Sequence, residues 1–148
     1  MENKETIVKQ ISRTQQHTLI MQCIYQYLFY LPLEERPSPV DIIECVTNLP
    51  VAEVDQFIKS TFVTAVKNCQ EAVDEISKYL VDWTFDRLCY VDQAILILGY
   101  IEIKYVKIPS PVVINLCVKM AQKYCSDDSY KFINGVLDNI RDNEGKNE

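Results

Sequence analysis

The sequence predicts an all-α protein of about seven helices, and three observations carry that prediction. Apolar residues recur at intervals of three and four along most of the 148 positions, the spacing that lines one face of a helix. Only three glycines are present (Gly99, Gly135, Gly145) against nine tyrosines, so tight β-turns lack the residues they need. All six prolines (Pro32, Pro37, Pro39, Pro50, Pro109, Pro111) fall at breaks in the apolar rhythm, where proline ends or opens a helix.

The elements follow in order. From Lys4 to Leu31, Ile7, Ile11, Ile20, Cys23, Ile24, Tyr27, Leu28 and Leu31 make one stripe, with a polar first half. Ser38, Pro39 and Asp41 read as an N-cap, a first-turn proline and a first-turn acid opening a short acidic helix to about Leu49. After Pro50 the stripe from Val54 to Leu80 fits one kinked helix or two. A break at 82–84 precedes Leu88 to Ile103, so apolar all round that it belongs at the centre of the fold. Gly99 sits inside it, where glycine costs about 1 kcal/mol relative to alanine; close approach of another helix is the expected compensation.

Pro109, Ser110 and Pro111 open the next helix, which runs to Tyr124 and carries Lys119 and Lys123 on one face. The last is expected to start at Ser126, with Asp127 and Asp128 complementing the helix dipole, and to give way to a polar tail near 143–148. At this length one domain is expected, and no linker divides the chain.

Net charge is −6, which weighs against a nucleic-acid partner. The distribution weighs the other way. Between Glu34 and Asp55 lie six acids and one base, Arg36, so that segment alone contributes −5 and the remainder can hold a local basic patch. Six scattered cysteines form no CxxC, and His17 is the only histidine; buried reduced thiols are expected, with no metal or cofactor. No apolar run reaches 18 residues and no signal segment is evident, which predicts a cytoplasmic protein with no membrane partner. No GxSxG, HExxH or phosphate-binding glycine loop is present, so no enzymatic activity is expected.

Between Tyr79 and Ile140 the chain reads YLVDWTFDRLCYVDQAILILGYIEI, then IPSPVVIN, then SDDSYKFINGVLDNI. This resembles the NusB family, which carries a tryptophan followed by Asp-Arg, a VDRAILR-like helix, a proline-opened INEA helix and a KFVNGVLD helix. Trp83, Asp86, Arg87, Val91, Asp92, Ala94, Asn115, Lys131, Phe132 and Asn134 to Asp138 match, and Gln22 and Tyr25 look like the family's QALY element. The resemblance implies two packed helical bundles, about 1–80 and about 81–142. It also implies transcription antitermination: binding of boxA-type single-stranded RNA together with NusE, a small-subunit ribosomal protein, on the transcription elongation complex, in support of ribosomal RNA synthesis. Some members self-associate, so a homodimer stays open.

Candidate site residues follow. Lys9, Arg13 and His17 are spaced i, i+4, i+8 and share a face, with Gln15 and Gln16 as hydrogen-bonding neighbours. A solvated helix face would have the same pattern; the resemblance favours RNA. By resemblance Asp128, Lys131 and Phe132 form a second RNA-contacting element, and Tyr25 and Asp92 grip NusE. The family's arginine cluster is thinned here to Arg13, with Gln15 among the replaced positions, so weak RNA affinity is expected. Trp83 is expected to anchor the packing between bundles. Two other readings stand beside the adaptor: a protein-interaction module that keeps the NusE surface without useful RNA binding, and a detached relative of the NusB-like domain of ribosomal RNA methyltransferases.

Overall fold

A computed structural model describes residues 11–146, and among these there are seven α-helices and no strand. Ser12 starts the first. Its hydroxyl accepts from the Gln15 N–H at 3.2 Å while Gln15 Oε1 accepts from the Ser12 N–H at 2.9 Å, a reciprocal cap that satisfies two orphan donors. Helix α1 therefore runs Arg13–Tyr30, and the expected continuous helix from Lys4 is interrupted at Ile11 and Ser12.

Ser38 and Asp41 make the same kind of cap for α2, Pro39–Thr47, as their order along the chain predicts. Asp55 caps α3, Gln56–Lys67, by accepting from the Phe57 N–H at 2.8 Å. The long stripe then resolves as two helices: Asn68 leaves helical geometry and α4 follows at Cys69–Ser77.

Asp82, in the left-handed region at φ 64°, turns the chain out of α4. Helix α5, Tyr90–Ile101, comes next, and every residue from Ala94 to Ile101 is buried. It packs against α1, α3 and α4 on one side and against α6, Ser110–Tyr124, and α7, Ser129–Lys146, on the other. Fully burying one such Leu or Ile is worth about 1.5–3 kcal/mol, so α5 is the main source of cohesion. The compensation expected at Gly99 is present. A Cβ there would fall 2.7 Å from Leu137 Cδ2 and 3.3 Å from Cys117 Sγ, so the absent methyl is what lets α7 and α6 approach.

Several expectations are corrected. Helix α5 ends in a π turn, Glu102–Val106, closed by Lys107 at φ 63°. The last helix starts at Ser129, three residues later than expected, because Ser126 to Asp128 form a turn, and it continues to Lys146 through the segment expected as tail. The cysteines are all free, but only Cys23 and Cys117 are buried; Cys45 and Cys89 are exposed. Trp83 is 56% exposed and anchors no packing. No described helix is long and apolar enough to cross a membrane.

Candidate RNA and partner interface

The first helix divides the candidate residues between two faces. Arg13 and His17 lie on the side turned to α3 and the π turn, whereas Gln15, Thr18 and Gln22 lie on the opposite side, toward the end of α6. Lys9 lies outside the described residues.

On the inward side, the Arg13 guanidinium is exposed but stacks on the Phe57 ring, 4.0 Å from its centroid. His17 is only 1% exposed, with Nδ1 2.7 Å from the Arg13 carbonyl and Nε2 2.5 Å from Glu102 Oε2. The expectation that His17 meets RNA is thereby corrected: both ring nitrogens are engaged inside the protein. Gln16 is corrected too, since it precedes the buried Ile20 by one turn and is itself buried. Its position points it at the core.

On the outward side, Gln15, Thr18 and Gln22 face Lys123 and Tyr124 across a groove of about 320 Å³. Gln15 remains exposed although its oxygen is committed to the cap. From Lys123 the chain runs directly into the turn that carries Ser126 and Asp128, and then into Lys131 and Phe132 on the first turn of α7. Asp128 and Lys131 are exposed, and Phe132 is partly buried.

Phe132 and Trp83 together wall two adjoining cavities. One, of about 380 Å³, is lined by Arg87, Asp92, Asp128 and Ser129; the other, of about 360 Å³, by Tyr79, Lys131 and Asn139. Asp92 is only 9% exposed and accepts from the Ser129 hydroxyl at 3.4 Å. Burial, with the nearby Asp92 carboxylate, pushes the Cys125 thiol well above its ordinary range. Asp92, expected to grip a protein, thus shares its cavity with Asp128 and Phe132, expected to meet RNA.

Tyr25 stands elsewhere. It meets Tyr90 edge-on, with ring centroids 6.2 Å apart, and Tyr90 in turn meets Phe29 at 6.0 Å. Phe29 is 47% and Tyr90 40% exposed. This is an aromatic patch whose outer rings face solvent.

Lys123, Trp83, Arg87, Phe29 and Tyr90 are the site residues the sequence reading did not assign. The Lys119 and Lys123 spacing was a usable signal for the first. For Trp83 the signal was its polar surroundings, Asp82, Thr84 and Asp86, which no helical period turns inward.

Comparison with known proteins agrees over nearly the whole chain. The NusB family model matches residues 14–142. A transcription antitermination protein NusB of Methylacidiphilum infernorum is 34% identical, covering 92% of this chain and 94% of the relative. The NusB of Staphylococcus aureus strain RF122 is 36% identical over 88% of this chain and 99% of the relative. Among solved structures, Thermotoga maritima NusB superposes with a TM-score of 0.76 at 27% identity, over 89% of this chain and 92% of that one. A NusB solved with NusE and double-stranded RNA has the same fold, at a TM-score of 0.70 and 24% identity, over 90% of this chain and 99% of the other. With Asp86-Arg87, the buried α5, Pro109 and the Lys131 to Asp138 run all in place on that fold, the chain belongs to the NusB family.

Proposed function

We propose that the chain is a transcription antitermination factor that holds boxA-type RNA and NusE together beside the elongation complex, in the cytoplasm, by binding and without catalysis. The supporting observation is the unbroken path from the groove of Gln15 and Lys123, through Ser126 and Asp128, to Lys131 and Phe132. Lysines on such a path neutralise phosphates. Partly exposed Phe132 and exposed Trp83 offer ring faces, and stacking is worth about 1–3 kcal/mol per base. Arg13 adds a cation at the other side of α1.

The aromatic patch of Tyr25, Tyr90 and Phe29 is the surface for NusE, with Asp92 reached through the cavity behind it. Two contacts on one body raise each other's effective concentration. The N-terminal helices (about 1–80) and the C-terminal helices (about 81–142) serve as one domain through their common packing on α5.

Labelled boxA-like RNA, titrated with and without NusE at two salt concentrations, tests this reading. Lys123→Glu is expected to weaken retention roughly three- to tenfold and to lower the salt slope by about one. Equal retention by mutant and parent at low salt removes Lys123 from the path. A second reading, a NusE-binding module with negligible RNA affinity, is favoured by the inward turn of His17 and Gln16; RNA that stays unbound even with NusE present selects it.

A further inference from the structure

His17 is the chain's only imidazole, and its contact with Glu102 is sealed, the two residues being 1% and 0% exposed. A carbonyl oxygen only accepts, so the 2.7 Å contact between Nδ1 and the Arg13 oxygen requires a proton on Nδ1. A neutral ring has no second N–H, so Nε2 would then turn a lone pair toward Glu102 Oε2, 2.5 Å away. Two lone pairs at that distance repel. The contact is attractive only if a further proton lies between them, either on an imidazolium that donates to the carboxylate or on a carboxyl that donates to Nε2. Both arrangements hold one proton more than a neutral imidazole beside an ionised carboxylate.

We propose that this shared proton is a latch holding the opening turns of α1, which present Arg13 and Gln15, against the π turn after α5, and that its loss as pH rises frees them. Only the consequence for RNA rests on the function proposed above; the latch does not.

The surroundings leave the pair few substitutes for the proton. Among the described residues, the charged or titratable groups facing it are Arg13 on α1 and the Cys117 thiol on α6, while α3 presents the uncharged Phe57 ring, 5.4 Å from the imidazole centroid. Glu102 Oε1 is buried with no hydrogen-bond partner among the described residues, so nothing else on the page solvates the carboxylate. Burial pushes His17 down, but the hydrogen bond and charge of Glu102 outweigh it and the net shift is upward. Burial pushes Glu102 up, only partly offset by His17. Both groups thus hold protons more tightly folded than unfolded. The contribution is complete below the ordinary imidazole value of 6.5 and is lost as pH climbs through the raised value of His17.

The test uses the full chain, whose single histidine gives one set of ring resonances. The expected midpoint in NMR titration lies above 6.5, with the melting temperature falling as pH rises through it. In Glu102→Gln the side-chain amide donates to Nε2 of a neutral ring. The midpoint should then drop to 6.5 or below and the pH slope of melting should flatten. A parent midpoint at or below 6.5, or identical titrations of parent and mutant, overturns the latch; the parent curve decides even if the mutant does not fold. Retention of a single-stranded boxA-like RNA is expected to fall several-fold across the same transition in the parent and to stay level in Glu102→Gln. A level parent profile with the titration intact breaks the link to α1. RNA that never binds at any pH, with the titration intact, removes the RNA function and leaves the latch standing.

Discussion

Helix α5 and the nine residues before it, 81–89, are neighbours in sequence and opposites in exposure. From Ala94 to Ile101 the helix shows almost nothing to solvent, whereas in the preceding segment only Phe85 is buried and Val81 and Trp83 are 76% and 56% exposed. Both are rich in large apolar groups, so hydrophobicity alone does not decide which serve the core. The helix repeats its apolar groups on every face; the segment strings them between Asp82, Thr84, Asp86 and Arg87 in a run with no period. One region supplies cohesion and the other supplies surface for a ligand.

Three substitutions challenge that contrast, in decreasing order of effect on stability. Ile97→Ala, at a fully buried position, should lower unfolding free energy by about 3 kcal/mol, read as a shift of the urea midpoint at constant slope; a loss below about 1 kcal/mol would mean that α5 is not the keystone. Gly99→Ala gains helix propensity but drives its methyl into Leu137, for a net loss of about 1 kcal/mol. Adding Leu137→Val should make the pair less damaging than the sum of the two, and strict additivity would contradict the close approach. Trp83→Ala should change stability by no more than about 0.5 kcal/mol while reducing RNA retention several-fold. The reverse outcome would return Trp83 to the packing role its sequence neighbourhood suggested.

Much of the fold was legible because its signals are local. Ser38, Pro39 and Asp41 specify the start of α2, and the unbroken apolar character of 94–101 specifies burial of α5. The site was less legible because its decisive contacts are distant. His17 reads as polar on a helical wheel, and what draws it inward is Glu102, 85 positions away. Gln15 was read for RNA when the Ser12-x-x-Gln15 spacing already marked a helix cap. The start of α7 was misplaced because Ser126 and Ser129 are equally plausible caps, and their hydroxyls in fact bond each other at 2.8 Å. Asp128, Lys131 and Phe132 could be grouped from the family motif, but the sharing of one cavity by Phe132, Asp128 and Asp92 needed three dimensions.

The π turn at Glu102–Val106 gives the junction between α5 and α6 an extra residue per turn, and both Lys107 and Ile108 donate backbone N–H groups to the Glu102 carbonyl. Helical phase is therefore reset there. A one-residue deletion within 102–106 would restore ordinary winding and rotate everything downstream by about 100° relative to α5. Lys104 would lose its 2.9 Å pairing with Glu71, and Cys117 would no longer lie over Gly99. The chain should thus tolerate substitutions in this stretch far better than a change in its length.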